Sequence, residues 1–286
     1  MKLTELFLSE LDREAPRTRG ALEQVPQDRD DWTPHPKSMP LARLAGLVAS
    51  MPSWVSLVIA TGVAIVAAFL RLERAVASRG GMPLVDLALL SDAVFMRGLY
   101  AVFFFFFANL SFYLVMTMFM QRGLHIPPLQ AGMVFLPLAF AFVIASRHSG
   151  ARARHRGTLV LIEGCAVQMI GLASLVLMVA WAQTPSATLL ALVLAIFGYG
   201  QGLVMAPLSS AVLSTVNPAS AGSGAGMYGM TAQIANAAGV AAIGAAFFAI
   251  EAAYSARLAL FAAAALFMLS IAACAAFLSW MRRAAA

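Results

Sequence analysis

The stretch LVLIEGCAVQMIGLASLVLMVAW, residues 159–181, decides the fold of this chain. It is almost wholly apolar, and Glu163 is its one acidic residue. An α-helix needs about 20 mainly apolar residues to cross the hydrocarbon core of a bilayer. This stretch is long enough, so it predicts a helix that spans a membrane.

Six further apolar runs of similar length lie around this stretch. Over the whole chain 61% of residues are hydrophobic and 11% are charged, whereas a soluble domain has about 45–50% and about 25%. Several runs contain Gly and Pro, which bundled membrane helices tolerate. An all-α membrane protein is therefore predicted. The other runs cover residues 51–70, 99–120, 129–146, 189–216, 225–250 and 258–281.

Residues 1–50 differ in composition and carry most of the acidic residues of the chain. Apolar residues recur there at three- and four-residue spacing over 8–25 and again over 41–51, which predicts amphipathic helices. The predicted organisation is a short soluble helical segment at 1–50, a membrane helix at 51–71 and a six-helix bundle at 72–286.

The formal net charge of +6 does not indicate nucleic-acid binding, because the basic residues lie in short loops between the apolar runs. Loops rich in Lys and Arg stay in the cytoplasm. Most of these loops fall on one side of the predicted bundle, so we expect that side and the C-terminus to be cytoplasmic. The residues behind this prediction are Arg71, Arg74, Arg79, Arg97, Arg147, Arg152, Arg154, Arg156, Arg282 and Arg283.

Four segments together carry a family resemblance. In their order and spacing they resemble the C-terminal part of the fourteen-spanner drug/proton antiporters of the major facilitator superfamily, from about residue 61 to the end. The segments are FLRLERAVASRGGMPLVDLALL at 69–90, MFMQRGLHIPPLQAGMVFLP at 118–137, FGYGQGLVMAPL at 197–208 and GSGAGMYGMTAQIANAAGVAAIG at 222–244.

The resemblance implies two six-helix bundles, of which the six later runs match the C-terminal one and the run 51–70 matches a central helix. Substrate sites in such folds lie near the bilayer midplane between the bundles. It further implies export of small amphipathic compounds across a bacterial inner membrane against proton entry, with no cofactor besides the proton gradient. The expected partners are the bilayer, the substrate, and either a missing N-terminal bundle or a second copy; no nucleic acid is expected.

The segment ELDREAPRTRGALEQVPQDRDDWTPHPKSMPLARLAGLVASMPSW, residues 10–54, resembles the first two helices of DinB-like proteins. Those proteins are soluble four-helix bundles that often bind a metal through three histidines. This chain has Leu47 where that family places its histidine in the second helix, and the helices with the other ligands are missing. No metal site is therefore expected, and the run 51–71 is interpreted as a hybrid of the two ancestries.

Glu163 is the candidate for proton coupling. A carboxylate inside an apolar run is costly to bury in its charged form, so such a group is by default a functional hypothesis. The alternative is that Glu163 lies near the cytoplasmic interface and pairs with Arg154 or Arg156. No catalytic residue is predicted, because no triad, phosphate loop or carboxylate pair is present.

Amide side chains inside the apolar runs are candidates to line a substrate cavity, although each could instead hydrogen-bond a neighbouring helix, which contributes about 1 kcal/mol. Glycines are expected to let helices approach closely, chiefly between the runs 189–216 and 225–250, and two prolines are expected to kink helices and assist gating. The amides are Asn109, Gln168, Gln201, Gln233 and Asn236; the packing and gating residues are Pro137, Gly198, Gly200, Gly202, Pro207, Gly226 and Gly229.

Three functions remain to be weighed. The first is proton-coupled efflux. The second is a truncated or fused membrane protein without transport of its own, because alternating access needs two bundles. The third, a membrane-tethered metal enzyme, is least favoured because its histidines are missing. An odd number of spans with a cytoplasmic C-terminus would also place residues 1–50 outside the cell, unless the run 51–70 does not span or the chain inserts in an unusual way.

Overall fold

The computed structural model describes residues 87–182 and 185–285, together with Ala68 and Arg71. The predicted soluble segment 1–50 and the membrane helix 51–71 therefore lie outside the described residues, apart from these two positions. Within the described part there are helices and no strand. The α-helices are α1 (Ala93–Met118), α2 (Pro128–Val134), α3 (Leu136–Arg156), α4 (Leu159–Trp181), α5 (Ala187–Leu213), α6 (Ala221–Ala253) and α7 (Ala256–Ala285).

Six spans are long and apolar enough to cross a bilayer in the part of the chain that the structure describes. A π-helical turn, Phe119–Gly123, lengthens α1, while α2 and α3 together make the second span. The long helices satisfy their own backbone hydrogen bonds, which is what hydrocarbon requires of a spanning segment. The prediction of an all-α membrane protein is confirmed.

Side chains cap the first turns of α1 and α5. Asp92 begins α1, and its Oδ1 accepts hydrogen bonds from the backbone N–H groups of Val94 (2.8 Å) and Phe95 (3.1 Å). Ser186 caps α5 in the same way through Leu189. These side chains replace the helical partners that the first N–H groups lack.

The predicted loop after the third run is largely helical. Residues 147–156 continue α3, and the helix ends only at Gly157, which has a φ of +55°. Arg and Ala are good helix formers, so the basic segment extends the helix beyond its apolar part. Apolar length placed the end of this run at residue 146, whereas the helix continues to Arg156.

The two prolines lie at different places in their helices. Pro137 lies in the first turn of α3, directly after the break at Phe135 that separates α2 from α3. Pro207 lies inside α5, which continues through it to Leu213. Because proline has no N–H, the carbonyl of Leu203 loses its ordinary helical donor. The gating role expected of both prolines stays a prediction.

The six spans form two groups of three, α1 to α4 and α5 to α7. Within the described residues, α1 packs on α6 and α7, while α5 packs on α3 and α4. Each group thus places its first span between the second and third spans of the other. Neighbouring spans joined by short connections run antiparallel, so the two groups are inverted with respect to each other, an arrangement known in transporters.

Glycines of α5 hold it against α3 and α4. A Cβ on Gly198 or Gly202 would strike the carbonyl oxygens of Leu138 or Phe142 on α3. On Gly200 it would lie 2.5 Å from the backbone nitrogen of Gln168 on α4. The expectation that these glycines pack against α6 was wrong, because α6 follows α5 in sequence but packs mainly on α1.

The glycines of α6 differ in whether they pack against a neighbouring helix. Gly239 lies against the backbone of Phe107, whereas Gly226 and Gly229 have no atom within 4 Å of the place that an added Cβ would take.

The spans that contain α3 and α6 are the least buried of the six described spans, at 22% and 28% of their apolar windows against 44–56% for the other four. The second span of each group therefore turns a broad face away from the bundle.

Replacing Gly239 with Ala is predicted to destabilise the bundle by about 1–3 kcal/mol, because the new Cβ would collide with the carbonyl of Phe107. Gly226→Ala on the same helix is the control, since its methyl group would enter open space. Thermal unfolding in detergent measures both. Equal melting temperatures for the two variants would contradict the predicted backbone contact.

Candidate transport pathway

The amides singled out in the sequence lie at nearly the same depth. Each falls within three residues of the midpoint of its span, which at 1.5 Å per residue is within about 4.5 Å along the helix axis. The middle of the described bundle therefore carries a layer of uncharged hydrogen-bonding groups. Its members are Asn109 on α1, Gln168 on α4, Gln201 on α5, and Gln233 and Asn236 on α6.

Gln201 connects α5 to α1 through a hydrogen bond. The Tyr113 hydroxyl on α1 donates a hydrogen bond of 2.8 Å to the Oε1 atom of Gln201 on α5, and Gln201 is only 2% exposed. These helices are the first spans of the two inverted groups. The structure thus brings Gln201 together with Tyr113, a residue that sequence reasoning missed although it lies four residues beyond Asn109.

Gln168 and Asn109 are placed differently from Gln201. Gln168 is buried against Gly200, and its Nε2 atom has no partner among the described residues. The Nδ2 atom of Asn109 is likewise buried without a partner there. Both side chains thus hold unused donors at mid-depth, where an unpaired polar group costs about 1–3 kcal/mol.

Gln233 and Asn236 lie toward the outward face of α6. Gln233 is exposed and Asn236 is half-buried, and the open glycines Gly226 and Gly229 precede them on the helix. The hydrogen bond to Gln201, in contrast, is buried between α1 and α5. The amide layer therefore has a buried part between α1 and α5 and an outward part on α6.

Aromatic rings pack beside the buried part of the layer. Phe112 on α1 stacks on Phe197 of α5 with ring centroids 3.9 Å apart, and it meets Phe267 of α7 edge-on at 5.7 Å. Ser270 of α7 donates a 2.7 Å hydrogen bond to the Phe104 carbonyl. These contacts fix the rotation of α1 and α5, and so they orient the polar side chains next to them.

Glu163 is held by two arginines at one end of the bundle. It is the fifth residue of α4, and its carboxylate lies 2.9 Å from Arg152 and 2.6 Å from Arg156 on α3. The side chain keeps 33% of its surface exposed. Two guanidinium groups compensate its charge, so the geometry favours the ion-pair interpretation, with Arg152 as a partner that the sequence did not indicate. The proton-coupling role stays a prediction.

The opposite end of the bundle has its own ion pair. Arg122, after α1, lies 3.1 Å from Glu251 near the end of α6. The end with Glu163, Arg152 and Arg156 is also rich in other arginines, and we call it the basic end. In the described residues, the acidic side chains thus lie near span ends and outside the mid-depth layer.

Two buried thiols form a contact that their sequence positions did not indicate. The Sγ atoms of Cys165 on α4 and Cys274 on α7 lie 3.9 Å apart, and both residues are fully buried. They pack the third spans of the two groups together.

In the described part of the chain no group of three or more His, Cys, Asp or Glu residues could hold a metal ion.

In the described residues, six antiparallel spans, an inverted repeat and a polar layer at mid-depth define a multi-pass membrane protein of the transporter class. A sequence model of the Major Facilitator Superfamily matches residues 41–240. The chain belongs to this superfamily, which makes it a transporter-type protein and not an enzyme. The match begins within the predicted soluble segment 1–50.

Named relatives agree with the family. The chain is 26% identical over 212 residues to a probable actinorhodin transporter of Streptomyces coelicolor, covering 69% of this chain and 34% of that protein. It is 32% identical over 172 residues to the drug efflux pump JefA of Mycobacterium tuberculosis, covering 58% and 32%. The multidrug resistance protein Stp of the same organism is 27% identical over 179 residues, covering 62% and 32%. The chain spans about one third of the length of these relatives.

Replacing Tyr113 with Phe is predicted to destabilise the bundle by about 0.5–1.5 kcal/mol, because the buried Gln201 loses its donor on α1. Unfolding by a denaturing detergent measures the change. In a Gln201→Leu background the same substitution should have almost no effect, since no acceptor remains. Equal effects of Tyr113→Phe in both backgrounds would show that the hydrogen bond does not couple α1 to α5.

Proposed function

We propose that this chain supplies one wall of the pathway of a drug/proton antiporter that exports small amphipathic compounds. The observation that carries the proposal is the uncharged polar layer at mid-depth, with Tyr113 and Gln201 joining the first spans of the two inverted groups. The outward part of this layer, Gln233 and Asn236 on α6, offers hydrogen bonds to a substrate, while the buried part holds α1 and α5 together. Substrate sites in transporters with this repeat lie at the same depth.

The pathway needs a second wall. Alternating access moves one bundle against another around a fixed site, and the described residues contain one bundle of six spans. The outward faces of α3 and α6 carry large exposed apolar side chains such as Phe140 (68%) and Ile234 (58%). We propose that these faces pack against a second six-helix bundle, either an N-terminal bundle of the fourteen-spanner type or a second copy of this chain.

Proton coupling is assigned to the second bundle. Among the described residues, acidic side chains lie near the span ends, and Glu163 is already paired with two arginines. A carboxylate that gives up and regains a proton during transport has to be free of such compensation in one state. Glu163 is therefore proposed to tie α3 to α4, and proton coupling is its alternative role.

The proposed location is a bacterial inner membrane with the basic end in the cytoplasm. Arg97, Arg152, Arg156 and Arg282 lie at that end, and the positive-inside rule retains such clusters in the cytoplasm. The C-terminus of α7 is then cytoplasmic as well. The DinB-like ancestry of residues 1–50 and the hybrid helix 51–71 stay predictions from the sequence.

A second candidate function is a membrane protein that inserts but does not transport by itself. The favouring observation is that the described residues contain one bundle of six spans, whereas alternating access moves one bundle against another. This candidate differs from the first only in whether a second wall is present.

Efflux of a fluorescent amphipathic dye tests the proposal in bacterial cells that lack their own major pumps. The full chain is expressed alone and together with the N-terminal half of a related efflux pump. We expect efflux that an uncoupler abolishes when a second bundle is supplied, because both walls are then present. Efflux by neither combination, from protein inserted in the membrane, would contradict the transport proposal and leave the second candidate.

Glu163→Gln in the same assay separates the two roles of this residue. The amide removes the charge that pairs with Arg152 and Arg156 but keeps the size of the side chain. We expect the dependence of efflux on an imposed pH gradient to persist, with a lower yield of folded protein. Efflux that no longer responds to the gradient would identify Glu163 as the proton-coupling group.

A further inference from the structure

A cavity opens at the basic end of the bundle, away from the mid-depth amides. It has a volume of about 550 Å³ and lies between the turn that joins α3 to α4 and the last two turns of α5. Gly150 and Gly157 border it, and neither has an atom within 4 Å of the position of an added Cβ. The glycines thus leave the mouth of the cavity open.

The charge of the cavity comes from Arg154. This side chain lines the cavity, whereas its neighbours Arg152 and Arg156 bind Glu163. No acidic side chain is among the described residues that line the cavity. The one carboxylate of Glu163 balances one of these two adjacent positive charges. The positive charge of Arg154 in the cavity is left for an incoming anion to balance.

The lining of the cavity includes both polar and apolar residues. Thr158, Ser210 and Ser214 carry hydroxyl groups along the lining, and the Ser214 hydroxyl donates to the Ala211 carbonyl. Ala206 and Ala211 provide accessible apolar surface, while Leu161 and Pro207 are buried beneath it. Ser214 follows the last residue of α5 and Pro207 precedes it by seven positions, which corresponds to about 10 Å along the helix. The cavity thus extends from the charged end of the helices into the apolar span.

We propose that this cavity binds the phosphodiester headgroup of an anionic phospholipid, such as phosphatidylglycerol. A guanidinium group and hydroxyl donors match the oxygens of a phosphate, and basic pockets between spans at this level of a membrane are suited to anionic headgroups. The glycerol and the first acyl carbons lie against the apolar surface of Ala206 and Ala211. A free phosphate ion would leave that surface without a partner, which is why a lipid is the proposed occupant.

Binding is measured on the full chain purified in a neutral detergent, by native mass spectrometry with dioctanoyl phosphatidylglycerol. Dioctanoyl phosphatidylcholine and inorganic phosphate are the comparison ligands. We expect phosphatidylglycerol to bind best and Arg154→Gln to weaken its binding about ten-fold or more, the effect of losing a charge-assisted hydrogen bond. Arg154→Lys keeps the charge and should retain most of the binding.

Arg147→Gln is the matched control. Arg147 lies on the same helix, is exposed and does not line the cavity, so this variant should bind within about two-fold of the original chain. Ser210→Leu fills the cavity while keeping Arg154, and it should weaken binding as well. Equal losses in Arg147→Gln and Arg154→Gln, or inorganic phosphate binding as tightly as the lipid, would overturn the proposal. Lipid binding is read without transport, so this test is independent of the proposed function.

Discussion

Backbone-to-backbone contact between helices is the constraint on which this bundle depends. Lipid tails are as apolar as the side chains, so spans associate mainly through close packing. Gly198 and Gly202 face α3, and Gly200, about 200° away around α5, faces α4. A single helix with small residues on two sides is thereby held between two others. On the other side of the bundle, Gly239 brings α6 against α1 in the same manner.

This packing also sets the polar chemistry of the bundle. Gln201 follows Gly200 directly, so the contact that fixes α5 against α4 also fixes the direction of the amide toward Tyr113 on α1. Stacking of aromatic rings between α1 and α5 holds the same two helices in rotation. Charged groups are excluded from this level in the described residues and instead tie the helix ends, through Glu163 at the basic end and Glu251 at the opposite end. The middle offers hydrogen bonds, and the ends offer charge.

The sequence predicts part of this arrangement well. Apolar length gave the bounds of α4, residues 159–181, because the hydrocarbon thickness determines how many apolar residues a span needs. It failed for residues 147–156, since helix propensity outside the hydrocarbon continues α3 past its apolar part. The depth of the amides followed from their place in each run. The hydrogen-bond partners of the amides could not be predicted from the sequence. The pairing of Tyr113 with Gln201 and the contact between the two cysteines depend on helix rotation and on contacts between distant segments.

The central claim is that the outward amides of the mid-depth layer, Gln233 and Asn236 on α6, face a water-filled pathway and not lipid. Gln233→Cys, on the exposed face of α6, tests it through reaction with a membrane-impermeant maleimide, in cells where a second bundle is supplied. Ile170→Cys on α4, at the midpoint of its span and also exposed (58%), is the comparison, and the buried Cys165 and Cys274 are replaced beforehand. We expect the thiol at position 233 to react readily and the thiol at 170 not to react. Equal lack of reaction at both positions would contradict the claim.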